Sequence, residues 1–123
     1  MSETQQLFTG EGLPISQIGN SVISAVMTAG GMAVILPPRA KIAAIFLTES
    51  ANHAITGGLN IGTASNGTQI ASAVAVGALS YQALWPASLT ITLTSATTNT
   101  TIWVSAASSW NSANLQVQVV YFY

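Results

Sequence analysis

Few side chains in this chain can move a proton or hold an ion, and all but the tyrosines stand before residue 54. His53 is the single histidine, the carboxylates are Glu3, Glu11 and Glu49, and the cations are Arg39 and Lys41; aspartate and cysteine are absent. A serine nucleophile needs a histidine base that is itself oriented by a carboxylate. Only Glu49 and His53 are close enough in sequence to suggest such a pair, and a spacing of four brings two side chains together on a helix. Thr48-Glu49-Ser50-Ala51-Asn52 reads instead as a strand end and a turn, so His53 is expected to be a polar loop residue. Paired carboxylates for glycoside hydrolysis would have to draw on Glu3 or Glu11, both in a polar, glycine-containing start. One histidine and no thiolate cannot complete a zinc site, and the one remaining carboxylate cannot complete a site for a hard cation within a single subunit. The glycines at 57, 58, 62 and 67 are followed by no Gly-Lys-Ser/Thr and form no Gly-x-Gly-x-x-Gly, so they read as turns and bulges rather than a phosphate loop. These residue types predict no catalytic residue, no metal and no cofactor.

What the residues can do is bind. Arg39 and Lys41 follow Pro37-Pro38, and on a strand i and i+2 share a face. They would meet an acidic partner, or Glu3 or Glu11 of another copy, or else form a solvated edge that discourages stray strand pairing. Two cations are too few for a nucleic-acid backbone, where binding grows with the number of phosphates neutralised. Leu7 and Phe8, with Leu13, are the apolar anchors of the polar start. Trp110 sits in the polar run Ser108 to Asn114, where an exposed ring would stack on a sugar or a partner protein and a buried one would anchor the core. Trp85, Trp103, Tyr81, Tyr121 and Tyr123 complete the set of rings suited to stacking. The candidate partner-binding residues are therefore Leu7, Phe8, Arg39, Lys41 and Trp110.

The elements that must carry these residues read as β. Residues 1–14 form an extended N-terminal arm, and residues 15–123 a single domain. Residues 15–26 fit a helical face, but Gly19-Asn20 interrupts it and the β-branched Val22 and Ile23 favour a strand over about 21–28. Met32 to Leu36 is a short apolar run stopped by Pro37-Pro38. Ala40 to Thr48 is a longer one, expected to be buried on both faces near its middle. Leu59 to Ile61 follows a glycine pair, and Asn66-Gly67 supplies the two positive-φ positions of a type I′ hairpin turn. Gln69 to Leu79 is open between helix and strand. Ser88 to Ser95 alternates Leu89, Ile91 and Leu93 with threonines, the period of a half-buried antiparallel strand. Thr100 to Ala106 is the next strand. Leu115 to Tyr123 closes the chain with Leu115, Val117, Val119, Tyr121 and Tyr123 on one side. Such a series of short strands and turn signals predicts an all-β fold, a single antiparallel β-sandwich of jelly-roll type.

From Ala54 to Tyr123 there is no charged side chain and no histidine, and the whole chain is 4% charged where about a quarter is usual. The stretch is no membrane segment, since Ser, Thr, Asn and Gln are interleaved with its apolar residues throughout. The most apolar run, Val22 to Leu36, is also short of the roughly 20 residues that span a bilayer. The start has no basic segment followed by an apolar one, so synthesis in the cytoplasm without a secretory signal is expected. A polar but uncharged surface suits contact with neighbouring copies in a large assembly.

Over Pro38 to Leu79 the chain resembles small virion proteins encoded by tailed bacteriophages and prophages. The matching positions are Thr48, Ala51, Asn52, Thr56 to Leu59, Ile61 to Thr63 and Gly67 to Ala78. The ending Trp110-Asn111-Ser112-Ala113, followed by an alternating strand, also looks like theirs. The resemblance implies a β-sandwich accessory component of the particle, a head protein that decorates or cements the capsid lattice, and it implies no catalytic residue. The expected partner is then the major capsid protein, and the expected state a homo-oligomer, with a trimer favoured by the three-fold positions of a lattice. The expected location is the capsid surface of the virion. The other expectation is a tail or fibre module that binds a host glycan or surface protein.

Overall fold

The computed structural model describes residues 20–90 and 94–122. Within them lie eight strands: β1 (Asn20–Met27), β2 (Gly31–Leu36), β3 (Lys41–Glu49), β4 (Leu59–Gly62), β5 (Ala71–Val74), β6 (Tyr81–Leu84), β7 (Thr100–Ala106) and β8 (Leu115–Phe122). They form two four-stranded antiparallel sheets in the orders β1-β8-β3-β6 and β2-β7-β4-β5. The first strand pairs with the last, the second with the seventh, the third with the sixth and the fourth with the fifth. Wrapping one long antiparallel ribbon back on itself yields this pattern. The predicted all-β sandwich is the architecture found. The predicted arm, residues 1–14, lies outside the described residues, and Leu7 and Phe8 with it.

The core is where the two inner faces meet. Ile45, Leu47, Leu115, Val117 and Val119 from one sheet and Leu36, Leu59, Ile61, Ile102 and Val104 from the other are almost wholly buried. In β8 the alternation read from the sequence is the alternation of burial, with Leu115, Val117 and Val119 inside and Gln116 exposed. β3 differs from a simple alternation. Its consecutive buried residues, Ala44 and Ile45, accompany a register shift between Ile42 and Ala44 against β8. A bulge inserts one residue and switches the parity of the inward set. Downstream of it the inward residues are Ile45, Leu47 and therefore Glu49.

Three local expectations change. The turn before β5 is closed by the Gly67 amide donating to the Ala64 carbonyl at 2.9 Å, so its central residues are Ser65 and Asn66. Only Asn66 has positive φ there, at 59°, so this is not the type I′ Asn-Gly turn. Gly67 is glycine for a different reason: a Cβ on it would meet the Ala64 carbonyl oxygen and the Gln69 side chain. Gln69 to Leu79 resolves into the four-residue β5 and a loop. The strand expected over Ser88 to Ser95 begins instead with a 3-10 turn at Pro86–Ser88, and its centre, residues 91–93, lies outside the described residues. The strand β6 has no counterpart among the expected elements. It is four residues long and pairs with β3 from Leu84 opposite Ile45 to Tyr81 opposite Thr48.

Candidate functional site

One end of the sandwich gathers the accessible charge. Pro37 to Ala40 is a turn, closed by the Ala40 amide on the Pro37 carbonyl at 3.3 Å, and Arg39 sits in it with φ of 64°. Arg39 is thus not on the strand that Lys41 opens, and the expectation that the two share a strand face is overturned. The turn brings them together instead. Both line a shallow pocket of about 210 Å³ with Ala40, Thr94 and Ala96. The pocket wall is held by the Arg39 amide on the Ser95 carbonyl at 2.7 Å and the Thr94 amide on the Ala40 carbonyl at 3.1 Å. The Thr94 hydroxyl adds a second bond to that same carbonyl at 2.9 Å. The Lys41 ammonium stands 5.7 Å from the centre of the Phe122 ring, within cation–π range.

From this end an uncharged, partly apolar surface runs along the outside of the β1-β8-β3-β6 sheet. Val22 and Val26 on β1 are 57% and 64% exposed, Tyr81 67% and Trp85 57%. Phe46 is the half-buried floor of an aromatic group. It stacks on Tyr81 with centroids 6.3 Å apart and planes 14° apart, and meets Trp85 edge to face at 5.9 Å. These are the two favoured geometries for aromatic pairs. Sequence alone leaves Tyr81 and Trp85 undistinguished among several rings. Their signal is the alternate spacing Tyr81, Ala83, Trp85, which places them on one face and is visible only once β6 is recognised.

Trp110 is placed differently. Its ring is partly buried against the core, and its Nε1–H donates to the Ala113 carbonyl at 2.9 Å. The loop around it is fixed by the Asn111 amide group on the Ala54 carbonyl at 2.9 Å. That geometry is the anchoring arrangement of the two expected, not an exposed stacking platform. Near this end, opposite the cationic pocket, Glu49 is buried, and its Oε1 accepts the backbone N–H groups of Ala51 at 3.0 Å and Asn114 at 2.9 Å. Its Oε2 has no hydrogen-bond partner among the described residues. His53 is exposed in the following loop, so the carboxylate orients two backbone amides and not the imidazole.

No family model matches the chain, and no curated protein matches it at a significant level. Among solved structures it is similar to a chain of the cyanophage Pam1 capsid asymmetric unit, at 21% identity over 99% of this chain and 96% of that chain, with a TM-score of 0.53. At that identity the likeness is one of fold, and it extends over essentially the whole of both chains.

Proposed function

We propose that this chain is a non-enzymatic structural protein of a bacteriophage particle, a capsid decoration or minor capsid protein that binds the major capsid protein on the outside of the head. The observation that carries the reading is the end-to-end fold likeness to a chain of a phage capsid. Two further features support it. The pairing of first strand with last, second with seventh, third with sixth and fourth with fifth supports a jelly roll, an architecture frequent in capsid proteins. The broad outer face with one lysine at its end suits packing against neighbours, since few ions must leave water when it is covered.

The mechanism is additive. Each copy buries Val22, Val26, Tyr81 and Trp85 against the lattice or a sibling subunit, and many modest contacts hold capsomers together by avidity. Three copies about a three-fold position of the lattice would be the natural unit. The exposed Tyr81 and Trp85 also favour a second reading, a tail or fibre module that stacks these rings on a host glycan. Copy number separates the two. Quantitative mass spectrometry of purified particles whose genome encodes this chain is expected to count on the order of hundreds of copies per particle, the multivalency the mechanism requires. A handful of copies would favour the tail or fibre reading, and absence from the particle would overturn both.

A further inference from the structure

The described body and the segment that precedes it, residues 1–19, have opposite charge. Among the described residues the formal charges are Arg39, Lys41 and Glu49, and Glu49 is 2% exposed. The body therefore shows solvent two cations, both on one small pocket. The remaining charged side chains of the protein are two anions, Glu3 and Glu11. The register also fixes where this segment leaves the body. Asn20 is opposite Phe122 on β8, and Phe122 is opposite Lys41 on β3. The point of attachment is thus two strand spacings from Lys41, about 10 Å. Nine residue steps separate Glu11 from Asn20, an extended reach of about 30 Å.

We propose that residues 1–19 dock on the Arg39–Lys41 pocket of their own chain, with Glu11 and Glu3 as the anions and Leu7 and Phe8 as the apolar contact beside Phe122. Charge complementarity selects this pocket, because no other described surface offers a cation. Length and point of attachment select the same chain over a second copy. A tether this short holds the segment at an effective concentration on the order of millimolar, above what a dilute second copy supplies. The docked segment would cover the accessible charge of the body, leaving the molecule's exterior close to uncharged. This latch stands independently of the capsid reading, because it requires no partner.

The absence of cysteine makes the test direct. A nitroxide on Thr9→Cys in the full chain is expected to broaden the amide resonances of Arg39, Lys41, Ala96 and Phe122 in a ¹⁵N spectrum. Proximity of the tether alone would cause some broadening, so the deciding measurement is its response to charge. Glu3→Gln with Glu11→Gln, or Arg39→Gln with Lys41→Gln, should lower the docked population about threefold or more, as expected for two exposed ion pairs. Broadening that ignores these substitutions overturns the proposal. So does broadening that persists when spin-labelled ¹⁴N chain is mixed with ¹⁵N chain carrying no nitroxide, which would place the segment on a second copy.

Discussion

Glu49 is a single side chain that joins two distant parts of this fold. It is the inward residue that the β3 bulge places at the strand's end, and one oxygen accepts the amides of Ala51 and Asn114. These bonds tie the turn after β3 to the entrance of β8, far apart in the chain. The Ser50 amide on the Asn114 carbonyl at 3.1 Å and the Ser50 hydroxyl on the same carbonyl at 3.3 Å complete the clasp. An unsatisfied buried donor costs about 1–3 kcal/mol. Both bonds to Glu49 are only partly buried, so water can reach the freed amides and Glu49→Ala should destabilise the protein by about 1–3 kcal/mol. Glu49→Gln keeps an acceptor for both amides and exchanges an unpartnered oxygen for an unpartnered NH₂, so its loss should be smaller. Urea unfolding followed by tryptophan fluorescence measures both. Equal losses would show that the amide bonds are not what Glu49 contributes. The sequence names Glu49 but hides its role, because its inward direction depends on a bulge near Ala43, not on anything local to the strand's end.

At the scale of elements, β1 is the longest edge strand among the described residues. It is eight residues long, pairs with β8 in unbroken register, and contains no charge and no proline. Edge strands of soluble proteins usually carry a lysine, a proline or a bulge that blocks pairing with other chains. β2, the matching edge of the other sheet, has a bulge between Met32 and Val34, and between the two edges lies a groove of about 400 Å³ lined by Ile23, Ser24 and Met32 to Ile35. Ser24→Lys puts a charge at the centre of the β1 edge. It should lower self-association about tenfold, an edge-strand effect, without moving the unfolding midpoint, and sedimentation velocity against concentration checks it. The legible elements are long ones: β8 shows its alternation in the sequence, and β1 shows itself through the β-branched Val22 and Ile23 after Gly19-Asn20. β6 is not legible because four residues hold too little periodicity, and Pro86 follows soon after. The Asn66-Gly67 pair misleads for a related reason: sequence identifies a turn but not which amide closes it, and Gly67 is required by the close approach of Ala64 and Gln69. At the candidate site, the cations are legible as a pair but not their geometry, because the positive φ of Arg39 accompanies backbone bonds to Ser95 and Thr94 that no local pattern announces.

At the scale of the whole molecule, the charge-free stretch from Ala54 onward acquires a spatial meaning. It supplies β4 to β8, which are three of the four strands of one sheet and two of the four of the other, and β1 and β2 are themselves uncharged, so among the described residues neither face of the sandwich can bind by ion pairing except at the Arg39–Lys41 end. Attachment through the sheet's outer face must then rest on apolar burial, at about 25 cal/mol per Å², and on hydrogen bonds from uncharged groups. Salt screens charges but leaves apolar burial intact. On the proposed capsid role, binding of the purified protein to particles stripped of it should therefore change less than about twofold between about 0.05 and 0.5 M salt. Trp85→Ser should weaken the same binding about tenfold or more, the scale expected when a large aromatic anchor is truncated. The two measurements decide between surfaces. A steep fall with salt and indifference to Trp85→Ser would move the contact to the cationic pocket, whereas salt indifference with a large Trp85 effect would assign it to the aromatic face of β3 and β6.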